Sequence, residues 1–446
     1  MEVQSLWHGI SPPADFPALT QDIDADVVVI GGGITGVTVA ERLRDAGKQV
    51  VLLEAGRIGG STTGGSTGNL YATIDEHLFR LREKWNPETV RAVVESRQSA
   101  LALIASLLEQ YRIECGFARR SWHLYATPLA SADAQDAVEH ELDAAREAGL
   151  DARLVLELPL PFAVHHAVVI DGQAQINPLA YVRALARAAA DTGCRIFEQT
   201  TATYIDAKEG VVETHGGRVK AEAIVLATHT PKGVYAVQAA MVPAREYAVA
   251  GRLTGAAYPE GIFWSADEPK HSIRSFETGG ERHLLVIGEK HLTGKEARTD
   301  RRYDELESFA LRALPLTAID YRWSAQHYRS ADMLPYIGKS MIAPNVYIAT
   351  GFATDGLIYG TLAASMIADA IDGRDNPWHE IYKPNRFTPG KSAKRFLQQN
   401  VEIMRQYGRK LKSVAEYGQF DAIAPGHGAI VQERGSKLAA WRDDDG

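Results

Sequence analysis

The chain has 446 residues, 45% of them apolar and 23% charged, and a formal net charge of −8. That length permits two or three domains around a large core, and the acidic balance argues against the basic surface that nucleic-acid binding needs. No apolar stretch is long enough to span a bilayer, and Met1 to Thr20, with Pro12, Pro13, Asp15 and Pro17, lacks the basic and apolar regions of a secretory signal. The two cysteines, Cys115 and Cys194, fit no metal or redox spacing, so the expectation is a cytoplasmic protein with two reduced structural thiols and no metal site.

Asp26-Val27-Val28-Val29-Ile30 is a β-branched run of the kind that forms a buried parallel strand. Gly31-Gly32-Gly33-Ile34-Thr35-Gly36 follows, then a helix over about 34–46 with Val37, Ala40 and Leu43 on one face and Gly47 at its end. A second strand, 49–53, runs into Glu54. Together these predict a dinucleotide-binding βαβ unit. Gly31 permits the tight turn, Gly33 lets backbone approach a pyrophosphate, and Gly36 lets helix and strand close up. The helix start at Ile34 and Thr35 offers free amides and the positive dipole end to phosphate. Glu54, with Ala55 beside it, can accept both hydroxyls of an unphosphorylated ribose. The stretch 54–70 is then a long Gly/Ser/Thr loop. Its small residues and polar groups at Ser61, Thr62, Thr63, Thr67, Gly68, Asn69 and Leu70 suit a large planar ligand. A flexible surface linker is the alternative, which the position directly after the ribose-binding acid disfavours.

Helices are predicted at 90–110 and 133–149, and a strand at 121–126. Asn177-Pro178 starts a helix over 179–192 before a strand at 195–197. The run 223–230 reads as a strand opening into a small-residue turn at Ala227 and Thr228. Gly279-Gly280 marks a hairpin between two strand-like runs within 271–287. Asp332-Met333-Leu334-Pro335-Tyr336-Ile337-Gly338 precedes a strand at 345–350 and a turn from Gly351 to Gly356. A small-residue helix over 357–371 follows, ended by Gly373. This late strand, turn and helix predict a second phosphate or ring site, with Gly351, Phe352, Thr354, Asp355, Gly356 and Leu357 as its contacts. Asp355 either bonds the ring or substrate, or caps the helix. Residues 391–411 read as a basic, solvated helix.

The G-G-G-I-T-G unit, the D-M-L-P-Y-I-G segment and the A-T-G-F-x-x-x-G turn, in this order over about 20–385, resemble the D-amino-acid oxidase/glycine oxidase superfamily of flavoproteins. The stretch Arg322 to Arg386 and the tail, Gly426 to Val431 and Lys437 to Gly446, resemble bacterial oxidoreductases whose flavin domain carries a C-terminal Rieske iron–sulfur domain. The Cys-x-His and Cys-x-x-His pairs of such a cluster are absent, so no cluster is expected, and the tail reads as a shortened chain or as a relic with another use.

The resemblance implies an α/β fold: a Rossmann-type FAD-binding domain from 20–85, 165–240 and 330–385, a substrate domain with an antiparallel sheet from 86–164 and 241–329, and an appendage at 386–446. It implies non-covalent FAD and oxidation of a C–N bond in an amine or amino acid, by hydride transfer to flavin N5, with oxygen or a redox partner as acceptor. In members acting on simple amino acids an arginine beside the late D-x-x-P segment clamps the carboxylate. His327 stands at that position here, which puts free amino acids in doubt. Arg329, on the same strand face, Tyr247 and Arg274 complete the expected catalytic set, with Arg245, Arg252, His271, Tyr328 and Tyr336 as further candidates. Two other readings stay open: a dehydrogenase passing electrons from a non-amine substrate to an iron–sulfur or quinone acceptor, and a non-catalytic redox sensor. The absence of paired cysteines excludes a disulfide reductase.

Overall fold

A computed structural model describes residues 3–232, 236–253, 259–296, 298–386, 423, 428–433 and 436–442. In chain order the elements are α1 (Leu6–Ile10), β1 (Ile23–Ile30), α2 (Ile34–Asp45), β2 (Val50–Leu53), β3 (Asn69–Leu70), α3 (Leu78–Arg82), α4 (Pro87–Gln110), β4 (Ala118–Ala126), α5 (Ala132–Glu147), β5 (Ala152–Val155), β6 (His166–Gln175), α6 (Pro178–Asp191) and β7 (Arg195–Phe197). There follow β8 (Tyr204–Asp206), β9 (Val211–Glu213), β10 (Arg218–Leu226), α7 (Ala236–Ala239), β11 (Met241–Arg252), β12 (Ile262–Ser265), β13 (Ser272–Thr278), β14 (Glu281–Leu292), α8 (Thr299–Ala313), β15 (Tyr321–Ser330), β16 (Tyr336–Lys339), β17 (Val346–Thr350), α9 (Gly356–Ile371), α10 (His379–Tyr382), β18 (Gly428–Glu433) and β19 (Ser436–Trp441). Two compact units result, Met1–Thr388 and Pro389–Gly446. No helix among the described residues is long and apolar enough to cross a membrane.

The first sheet runs β16-β17-β10-β1-β2-β7, with β8 and β9 attached beside β10. Its centre, β17 through β7, is parallel. The unbroken Val/Ile/Leu runs of β1 and β2 have this cause: both faces are covered. Val27, Val29 and Leu52 join the core under α2, α6 and α9, while Val28, Ile30, Val51 and Leu53 bury against the β8–β9 side.

The second sheet runs β15-β11-β14-β13-β12-β4-β6-β3, with β5 beside β6. Strand alternation gives it two faces. Tyr247 and Val249 of β11, with Ile273, Leu284 and Val286, pack under α8 at Tyr303, Leu306 and Ala310. Ala248 and Ala250, with Leu285, Ile287 and Trp323, face the large shared core instead.

The α/β expectation with two sheets holds in this arrangement. Two pieces move. β3 and β6 fall within segments expected in the nucleotide-binding domain, yet they pair with each other, and β6 with β4 and β5, in the second sheet. The Pro-rich start, read only for what it lacks, forms α1, whose Leu6 and Trp7 are fully buried. In the second unit β18 and β19 form an antiparallel hairpin; the helix expected at 391–411 lies outside the described residues.

Candidate active site

A cavity of about 1700 Å³ of atom-free space, its open mouth included, lies between the sheets. Its floor is the carboxyl edge of the first sheet: Ile30, Leu53, Ala227 and Ala349, at or beside the ends of β1, β2, β10 and β17, all line it. That edge is where parallel α/β sheets bind ligands. Gly31, Gly33, Ile34 and Thr35 line one end. Gly31 has φ +110°, and a Cβ there would stand 2.5 Å from the Ala227 carbonyl oxygen, so only glycine fits the turn. Gly36 is not in the wall; its hydrogen lies against the Gly31 carbonyl, where a Cβ would come within 1.8 Å. Gly33 is the N-cap of α2 and has no side chain to cap it. Thr63 Oγ1 accepts from the Ile34 amide at 3.0 Å. Glu54 accepts from the amides of Gly32 at 2.6 Å and Gly56 at 2.7 Å, which fixes its carboxylate at the cavity edge beside Ala55.

The loop after Glu54 is pinned rather than free. Four successive carbonyls are each held by a side chain from elsewhere. Ser5 Oγ donates to Gly64 at 2.6 Å, Trp323 Nε1 to Gly65 at 2.9 Å, and Trp7 Nε1 to Ser66 at 2.7 Å. Arg274 Nη1 donates to Thr67. Ser61, Thr62, Thr63 and Thr67 line the cavity, whereas Asn69 and Leu70 pair with β6 and Gly68 packs on the Ile176 carbonyl.

At the far end Phe352, Thr354, Gly356 and Leu357 line the wall, as do Ala227 and Thr228. Gly351 and Asp355 do not. Asp355 is the N-cap of α9 but makes no side-chain cap bond. Its carboxylate instead pairs with buried Arg97 at 3.3 Å and accepts from the Asp75 amide at 3.2 Å. Arg97 in turn donates to the carbonyls of Tyr71 and Ala72. The acid therefore joins the late turn to the 71–75 segment.

The roof is made by β11, β12, β14 and β15, through Glu246, Ala248, Trp264, Ile287, Trp323, Ala325 and His327. Of the expected catalytic set, Arg274 and Arg329 lie outside the cavity lining, Tyr247 lies within it, and so does His327. It is 4% exposed, and neither ring nitrogen has a hydrogen-bond partner. Burial, with Lys290 nearby, pushes its pKa down to about 3, so the ring is neutral. Tyr247 is turned to the other face by strand alternation: its hydroxyl meets His291 Nε2 at 3.0 Å and its ring packs edge-on to Tyr303. Arg274 is spent on the loop and stacks near Trp7 and Phe276. Arg329 pairs with Glu76. His271 stacks on Phe309 and meets Glu289 at 3.5 Å. Arg245 donates to Ser324 Oγ, Arg252 pairs with Glu281 and Asp320, and Gln326 donates to the Tyr328 hydroxyl. Tyr336 lies under the Arg386 guanidinium, 4.1 Å from its ring centre.

Sequence reasoning missed Glu246, whose neighbour Tyr247 drew the attention. The alternation of β11 carried the signal: Ala244, Glu246 and Ala248 share the inward face. Burial raises the Glu246 pKa to about 7, helped by Asp75 and Glu76 and opposed by Lys290 and Arg329. It also missed Asp75, whose buried carboxyl is held below the usual range against burial by Lys290 at 3.3 Å and the Thr354 hydroxyl.

The glycine cradle, the helix start at the end of the cavity and the pinned loop fit a dinucleotide with a planar ring. Residues 26–370 match the family model described as "FAD dependent oxidoreductase". The chain is 30% identical to the putative Rieske 2Fe-2S iron-sulfur protein YhfW of Bacillus subtilis (strain 168), over 99% of this chain and 87% of that one. It is 24% identical to the gamma-glutamylputrescine oxidoreductase of Escherichia coli (strain K12), over 81% and 86%. In fold it is similar to glycine oxidase from Geobacillus kaustophilus, with a TM-score of 0.69 at 21% identity over 82% of this chain and 100% of that one. The chain is an enzyme that binds FAD and belongs to the DAO family of FAD-dependent oxidoreductases.

Proposed function

We propose that the enzyme oxidises a C–N bond of an amine or amino acid. The observation that carries this reading is the roof: an apolar lid of Ala248, Trp264, Ile287 and Trp323 closes over the ring end and presents the unpartnered nitrogens of neutral His327. In this reading Gly31, Gly33, Ile34 and Thr35 hold the pyrophosphate, Glu54 and Ala55 the ribose, and Ser61 to Thr67 with Thr354, Gly356 and Leu357 the ring. Bound FAD supplies the two-electron acceptor that takes a hydride from the carbon bearing nitrogen. The protein orients the amine and keeps water from the reacting carbon. A bare imidazole nitrogen can accept an N–H of the substrate, so His327 fixes the nitrogen rather than removing a proton. The names of the relatives, glycine oxidase and gamma-glutamylputrescine oxidoreductase among them, support substrates with a C–N bond. The imine product hydrolyses to a carbonyl compound and ammonia or a smaller amine. Incubating the FAD-loaded enzyme with amines and amino acids, and assaying both products, tests the reading. Equal yields of carbonyl and nitrogen product support it, and turnover of a substrate without nitrogen rejects it.

A relative named as an iron–sulfur protein favours transfer of the electrons to a redox partner over transfer to oxygen. Reoxidation of the reduced enzyme by a quinone or dye far faster than by air is the expected result. The two buried, unpaired cysteines support a reducing compartment such as the cytoplasm.

A further inference from the structure

The charges around the ring end have a definite sign. No arginine lines the cavity among the described residues, and its lysine, Lys232, donates to the Ala202 carbonyl at 2.8 Å, beside Thr200 and the Glu54 end. The charged groups near the roof are Asp75, Glu76 and Glu246 against Lys290 and Arg329. Both cations are engaged: Lys290 lies 3.3 Å from Asp75 and 3.7 Å from Glu76, and Arg329 pairs with Glu76. Glu246 alone of the three carboxylates has no ion-pair partner among the described residues, and it is the one that lines the cavity.

Backbone geometry puts it there. Tyr247 of β11 pairs with Gly288 and Arg245 with His291, so β14 carries an extra residue opposite Glu246. That residue, Glu289, takes a left-handed φ of +56°. The bulge sends Glu289 to His271 and Arg302 on the far face and Lys290 to Asp75, so that Lys290 acts on Glu246 without forming an ion pair with it, as bulges beside active sites do when they re-aim side chains. On the other flank Glu246 pairs with Ala325. His327 is therefore its diagonal neighbour on the same face, ~7–8 Å away. A lone carboxylate and an unpartnered, 4%-exposed imidazole thus share one wall.

We infer that the substrate is an amine carrying a second, positively charged nitrogen, which Glu246 recognises, and that a free carboxylate is rejected at this wall. This rests on the C–N reading above. A carboxylate with no ion-pair partner attracts a cation and repels a carboxylate, and that difference sets which ligand charge this wall accepts. The charge comes from Glu246 and the amine-accepting nitrogen from His327, so the two ends of a short diamine have separate receptors. The raised pKa of Glu246 adds a signature: an amine that stays doubly charged binds less well as pH falls through about 7, because the carboxylate takes up a proton.

The test is anaerobic titration of the FAD-loaded protein with 1,4-diaminobutane, n-butylamine and glycine, following both perturbation and bleaching of the flavin band, in wild type and E246Q. The diamine should bind more tightly than the other two. E246Q should weaken the diamine by about tenfold or more, weaken the singly charged butylamine by less, and abolish the loss of diamine affinity below pH 7. E246D, which keeps the charge, should restore part of the affinity. Glycine binding best, or E246Q leaving the diamine unaffected, overturns the inference while bleaching keeps the C–N reading alive. Perturbation by the diamine that E246Q removes, without bleaching by any amine, keeps the recognition and sinks the C–N reading.

Discussion

Glu246 and His327 lie on neighbouring strands of one sheet face and are perturbed in opposite senses. His327 stays neutral above about pH 4 because burial depresses its pKa to about 3, so it contributes no pH dependence near neutrality. Glu246 does. Its carboxyl has a pKa near 7 in the folded protein against an ordinary 4.5. At pH 4 it is protonated in both folded and unfolded chains. As pH rises the unfolded chain ionises first, so the fold loses stability up to about pH 7 and holds that loss above it. E246Q should therefore melt higher than wild type at pH 8, by roughly 1–3 kcal/mol, and equally at pH 4; thermal melts of the substrate-free enzyme check this. A variant that melts lower at pH 8 would show that Glu246 is paired rather than strained. A polar side chain that stabilises the protein when removed marks a site kept for binding. In the sequence His327 was legible through its motif position, whereas Glu246 needed the phase of β11, which no motif fixes.

At the scale of elements, the βαβ unit was legible because each of its glycines answers a contact the chain cannot otherwise make. Gly31→Ala would need a Cβ 2.5 Å from the Ala227 carbonyl at φ +110°, and should abolish FAD retention. The α1 helix was not legible. Five residues with two buried apolar ones carry too little periodicity, and their meaning lies in partners some sixty positions away. Trp7 is buried edge-on against Phe276 at 4.8 Å and holds the Ser66 carbonyl. Trp7→Ala should cost ~3–5 kcal/mol and release FAD on gel filtration. Trp7→Phe should keep most of the stability and lose FAD less readily, and equal retention by all three proteins would separate α1 from the loop. The D-M-L-P segment carried the resemblance, yet its acid holds structure: Asp332 receives Arg386 Nε at 3.1 Å and Nη2 at 3.2 Å, both residues buried. Asp355 likewise serves Arg97, a residue that reads in sequence only as part of an amphipathic helix.

Over the whole molecule, the parallel sheet was legible because strands covered on both faces read as apolar runs, whereas the antiparallel sheet was an expectation of the resemblance. The sorting of β3 and β6 into the second sheet was not foretold, since strand pairing over long separations leaves no local mark. The closed roof makes the central claim testable in one cuvette: the FAD-loaded enzyme, without oxygen, is scanned for absorbance against a panel of amines, polyamines and amino acids. The account predicts that a cationic amine bleaches the oxidised flavin band completely and stoichiometrically. A flavin band that survives every amine and amino acid and bleaches with a nitrogen-free substrate would contradict it.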